Sequence, residues 1–118
     1  MPQYRYLELL GSGPVSRVRL LTQGPLGGER IAELAEEWNS VADHAECRTL
    51  VVNCSKIEVL SSEMLSKLVL LQRRLKQKDG KVVLCGIRGE VREVLSWTRL
   101  DRFFEIQDDE EQETPVLT

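Results

Sequence analysis

The stretch from Val51 to Leu68 reads VVNCSKIEVLSSEMLSKL. Its start closes an apolar run, TLVVNC, over residues 49–54. A strand this continuously apolar is one buried on both faces. A bridge over residues 56–60 carries Ile57, Val59 and Leu60. Ser61 and Ser62 follow, and either can cap a helix, because a serine hydroxyl accepts from an orphan N–H of the first turn. Met64, Leu68, Leu71 and Leu75 then recur at i, i+4, i+7 and i+11, flanked by Leu65 and Val69. That is the core-facing stripe of an amphipathic helix. Asp79-Gly80 ends it, glycine suiting the left-handed position after a helix.

Working outward, residues 81–87 (KVVLCGI) form a second buried strand, and residues 90–96 a short helix with Val91, Val94 and Leu95 inward. Leu100, Phe103, Phe104 and Ile106 bring a last apolar segment. Upstream, residues 29–44 place Ile31, Leu34, Ala35, Trp38, Val41 and Ala42 on one helical face, with Glu33, Glu36, Glu37 and Asp43 mostly on the other. Residues 4–10 and 15–21 are β-like runs around the turn signal Gly11-Ser12-Gly13-Pro14, which predicts a hairpin. Residues 22–28 are loop, punctuated by Gly24-Pro25 and Gly27-Gly28. The order is hairpin, α, β, α, β, α. Strands alternating with helices in the second half predict parallel pairing there. This is one domain, residues 1–107, followed by an acidic tail, residues 108–118, that frays.

At 118 residues the chain buries roughly two-thirds of its unfolded surface, enough to fold without disulfides or a metal. Its net charge of −3 argues against a nucleic-acid binder, which needs a basic stripe. The cluster Arg73, Arg74, Lys76, Lys78 and Lys81 reads instead as a solvated helix end, where cations favour the dipole. Cys47, Cys54 and Cys85 are odd in number and lack metal or redox spacing. Cys54 and Cys85 sit inside apolar runs, and as buried free thiols they point to a reducing, cytoplasmic setting. No signal peptide opens the chain, and no apolar run approaches the ~20 residues of a membrane span.

Catalytic constellations are missing. His44 is the only histidine and sits at a predicted helix C-terminus, so no Ser-His or Cys-His pair can form beyond it. Asp108, Asp109, Glu110 and Glu111 are consecutive rather than opposed. Residues 24–28 lack the Lys-Ser/Thr of a phosphate-binding loop. The sequence calls for no cofactor. The informative feature is the pair of serines opening a helix after a buried strand. A phosphate there would sit on a helix N-terminus and regulate docking; the plainer reading is that the serines only cap.

At this segment the chain resembles the STAS family, which includes the bacterial anti-sigma-factor antagonists. Members read as an apolar strand, an Asn or Asp, an apolar pair, Asp-Ser-Ser/Thr-Gly-Leu, and an amphipathic helix. Asn53 falls on the strand-end position, Val59 and Leu60 on the apolar pair, and Leu65 and Leu68 on the helix leucines. GKVVL from Gly80 is similar to the family's next strand, and residues 90–95 and 100–106 to its closing helix and last segment. The likeness covers about residues 49–107. It implies a single STAS-like α/β domain, a mixed β-sheet with helices packed mainly on one face.

The departures fall on the switch. Ser61 replaces the motif aspartate, Ser62 matches the first serine, and Glu63 holds the usual phospho-acceptor position. Met64, Ser66 and Arg99 stand where glycine or another small residue is usual. Glu63 supplies one negative charge where phosphoserine would bring about −1.5 to −2. The resemblance thus implies a non-enzymatic interaction module with a degenerate switch at Ser61, Ser62 and Glu63. It would dock through the helix start over residues 61–68, with Asn53, Met64 and Lys67 at the partner surface. The implied partner is an anti-sigma factor or related switch kinase, with no nucleic acid and no direct membrane insertion. A subunit role in a membrane lipid or anion transport assembly is the alternative.

Overall fold

The computed structural model describes residues 4–21 and 27–107. The expected acidic tail and most of the loop before the first helix lie outside these residues. Nine elements follow in order: β1 (Leu7–Gly11), β2 (Val15–Leu20), α1 (Gly28–Ala42), β3 (Thr49–Asn53), α2 (Ser62–Lys76), β4 (Lys81–Cys85), α3 (Gly89–Trp97), a 3-10 turn (Leu100–Arg102) and β5 (Glu105–Gln107). The expected hairpin, helices and buried strands are present, with ends shifted by up to three residues. The addition is β5. Its three residues, EIQ, are too short and polar to read as a strand, and only pairing with β4 defines it.

The strands form one five-stranded sheet in chain order, β1-β2-β3-β4-β5. β1 and β2 are antiparallel, and every later pair is parallel. Alternation along the strands divides the core. Val18, Leu20, Leu50, Val52, Val82 and Leu84 join the buried stripes of all three helices in one large cluster. Val51, Val83 and Cys85 form a small separate cluster on the opposite side of β3 and β4. This is the burial on two faces that the apolar strands predict. Met64, Leu68, Leu71 and Leu75 are all buried, so the α2 stripe faces the sheet as its spacing requires.

Two assignments at the end of α2 change. Asp79, not Gly80, takes the left-handed conformation, with φ 60°. Gly80 is needed for space: a Cβ there would stand 2.1 Å from the Arg48 carbonyl oxygen, which accepts from the Lys81 N–H at 2.8 Å. The basic cluster is also not merely solvated. Arg74 grips both carboxylate oxygens of Asp43 at 2.6 and 2.7 Å, and Lys81 pairs with Glu105 at 2.6 Å. Lys78 donates to the carbonyls of Ala42 and His44, closing the C-terminal end of α1 with a cation.

Two side chains join elements in ways invisible to periodicity. Buried Gln72 accepts from the Val82 N–H at 2.7 Å and donates to the Phe103 carbonyl at 2.7 Å. Glu37, expected on the solvent face of α1, accepts from the N–H groups of Arg5 and Tyr6 at 2.8 Å each.

Candidate functional site

Parallel β3 and β4 end side by side, and the chain leaves each at the same edge of the sheet. In open α/β sheets this edge is where ligands and partners engage. Two loops meet there: residues 54–61, leading into α2, and residues 86–88, leading into α3. Asn53 binds them together. Its Oδ1 accepts from the Ser55 N–H at 2.8 Å, turning the chain, and lies 3.2 Å from where a Cβ on Gly86 would be. Gly86 has φ +67° and is hemmed in by Ser55 as well, so a side chain there would be both strained and crowded. The Arg88 Nε donates to the Ser55 carbonyl at 2.9 Å, and the Cys54 N–H donates to the Cys85 carbonyl at 2.9 Å. Ile57 and Leu60 are buried and anchor the bridge, while Val59 is 55% exposed. A hollow of about 560 Å³ opens between Glu58, Val59 and the start of α3 at Gly89 and Glu90.

Ser61 is the helix cap. Its backbone is extended, and its Oγ accepts from the Met64 N–H at 3.2 Å. Ser62 is the first helical residue; its side chain is exposed and makes no hydrogen bond among the described residues. The cap that either serine could supply therefore falls to Ser61, and Ser62 keeps its hydroxyl free. Glu63, next along, is exposed in the first turn of α2. Its Oε2 lies 3.5 Å from where a Cβ on Gly28, the first residue of α1, would stand.

Two residues expected at the partner surface are not on it. Asn53 is 2% and Met64 4% exposed. Asn53 is occupied in shaping the loops, and Met64 faces the core because it begins the α2 stripe. Neither offers its side chain to a partner. Lys67 is half-buried, one turn on, where α2 borders α1. The exposed face at the start of α2 consists of Val59, Ser62, Glu63 and Ser66. Gly86, Arg88 and Gly28 are positions that sequence reasoning missed; the one local signal among them was the isolated glycine after a buried strand.

The thiols add no chemistry here. All three cysteines are buried, and burial pushes the Cys54 thiol up to about 12, far from the thiolate a nucleophile needs. Among the described residues no group of His, Cys, Asp and Glu could hold a metal ion. No described helix is long and apolar enough to cross a membrane.

Comparisons with known proteins agree with this fold. A Bordetella bronchiseptica protein, BtrV, whose name makes it a candidate anti-sigma factor antagonist, is 31% identical over 72 residues. The match spans 61% of each chain, so this chain aligns with about three-fifths of that relative. An anti-sigma-factor antagonist (STAS) domain protein from Planctomyces limnophilus superimposes with a TM-score of 0.79 at 18% identity, over 91% of this chain and 93% of its own. The anti-sigma factor antagonist SpoIIAA in its unphosphorylated form gives 0.74 at 17% identity, over 93% and 95%. The phosphorylated form of SpoIIAA, from Bacillus, gives 0.68 at 16%, over 93% and 98%. These structures share the mixed sheet and its helices. The STAS domain model matches residues 8–113, nearly the whole chain, and the chain therefore belongs to the STAS domain family.

Proposed function

We propose that the chain is a non-catalytic regulator of the anti-sigma-factor-antagonist kind. It docks an anti-sigma factor or related switch kinase on the exposed start of α2, and its phosphorylation switch is degenerate. The observation that carries this is the exposed pair Ser62 and Glu63 at the N-terminus of α2, beside exposed Val59. An aliphatic side chain next to a charged helix start gives a partner both apolar area and a charge to read. The name of BtrV and the two forms of SpoIIAA point to the same class of function. Glu63 replaces the acceptor hydroxyl with a permanent single charge, so the surface stays in a partly phospho-like state and repels an acidic partner while attracting a basic one. Lys67, one turn further along, borders the surface. The cytoplasm is the setting this role requires.

The test is affinity capture of the partner from native lysate, followed by calorimetric titration of wild type, Glu63→Ser and Glu63→Gln with the purified partner. Both variants should reach the native fold with at most a small loss of stability and shift affinity, and the affinity shift should shrink with added salt because exposed charges are screened. Equal affinities for all three chains would defeat the reading, as would stoichiometric phosphate on Ser62 in protein isolated from cells.

A further inference from the structure

α1 and α2 lie side by side over the sheet, and a groove of about 360 Å³ separates their outer faces. Ala35 and Trp38 line it from α1, and Lys67, Leu70 and Arg73 from α2. Leu70 is 55% exposed, an aliphatic on the outward face of a helix whose opposite stripe fills the core. One turn to either side of it stand Lys67 and Arg73. The neighbouring cations are used by the fold: Arg74 on Asp43, Lys78 on the α1 carbonyls, Lys81 on Glu105. Lys67 and Arg73 have no ion-pair partner among the described residues. Trp38 is fully buried.

An apolar centre and a cation on each side define a complementary shape. It is an amphipathic segment with an aliphatic residue over Leu70 and Ala35 and carboxylates on both flanks. We propose that the α1–α2 groove is a second docking surface, which takes an acidic amphipathic segment of a partner protein in the helix-in-groove manner. The groove adjoins the start of α2 at Lys67, so one partner can hold both.

The probe is a synthetic amphipathic helical peptide with leucines along one face and glutamates on its flanks. It is titrated into the full chain carrying Trp97→Phe, which leaves Trp38 as the only indole; Trp97 is 83% exposed, so its loss spares the core. The expected result is a saturable shift in Trp38 emission that weakens as salt is added. Leu70→Glu with Arg73→Glu should weaken binding roughly tenfold or more without moving the urea midpoint. Lys67→Gln with Arg73→Gln should do the same should the first variant fold poorly. No saturable shift, equal binding of a scrambled or lysine-substituted peptide, or indifference to both double variants would overturn the proposal. Replacing the five carboxylates of residues 108–113 by amides in the full chain tests the chain's own tail as occupant. A gain in peptide affinity on that change would overturn it too, as would a dimer in sedimentation that the groove variants abolish.

Discussion

The Glu63 carboxylate on α2 stands over Gly28 at the beginning of α1, with Oε2 3.5 Å from where a Gly28 Cβ would be. The cap residue of α1, Gly27, has no side chain with which to accept its free N–H groups. One carboxylate thus faces the positive ends of two helices, its own and its neighbour's, and each favours a negative charge. Glu63 serves both helix starts as a counter-charge.

Glu63→Gln should therefore cost about 0.3–1 kcal/mol of folding stability at low ionic strength, and less as salt is added. Urea unfolding across a salt series measures it. A loss that is insensitive to salt would mean that the charge has no such role.

Leu68 and Leu70 lie on opposite faces of α2, at 1% and 55% exposure. Leu68→Ala should destabilise by roughly 2–5 kcal/mol and Leu70→Ala by well under 1 kcal/mol. Comparable losses in denaturant unfolding would place the helix face wrongly.

At Gly80 the conflict is with backbone, which cannot swing away. Gly80→Ala should cost about 1–3 kcal/mol or more, although alanine is the smallest addition possible. Calorimetric unfolding that is unchanged would show that the start of β4 can shift away from Arg48.

Arg99 has φ 61°, in the left-handed region. The left-handed conformation costs an L-residue about 1–2 kcal/mol, and glycine's extra freedom in the unfolded chain takes back about 0.5–1 kcal/mol. Arg99→Gly should therefore stabilise by up to about 1 kcal/mol, read as a rise in Tm. A fall would mean that the arginine side chain contributes more than its backbone strain costs.

The hydrogen bond from Arg74 holds the Asp43 carboxyl below the usual carboxylate range, against a smaller opposing effect of desolvation. A depressed folded-state pKa gives stability that is complete above the unfolded value of about 4 and is lost as pH falls through the folded value. Both side chains are about half exposed, so the pair contributes about 0.2–1 kcal/mol. Asp43→Asn should show that deficit at pH 7 and none in acid. A deficit constant across the titration would assign it to packing rather than charge.

What could be read from the chain was what depends on near neighbours. The α2 stripe, the capping serine and the two-sided burial of β3 each follow from residues within a few positions of one another. What escaped was tertiary. Met64 looks like a surface residue in the switch motif, but as the first residue of a buried stripe it belongs to the core. Asn53 ends a strand in any reading, yet its work on Ser55 and Gly86 requires β4 to lie alongside. The closeness of Glu63 to Gly28 joins residues 35 positions apart, and no local pattern encodes it.

The order of the strands in the sheet is also their order along the chain. Each new strand pairs with one already made, so assembly can keep pace with synthesis as the chain leaves the ribosome. No strand has to wait for a distant partner or be threaded between two others. β1 and β2 form the first ribbon, and each later strand, delivered by its helix, covers the exposed margin of the one before. Closure falls to β5, at three residues the shortest strand. A margin that short gives a neighbouring molecule little to pair with on that side of the sheet.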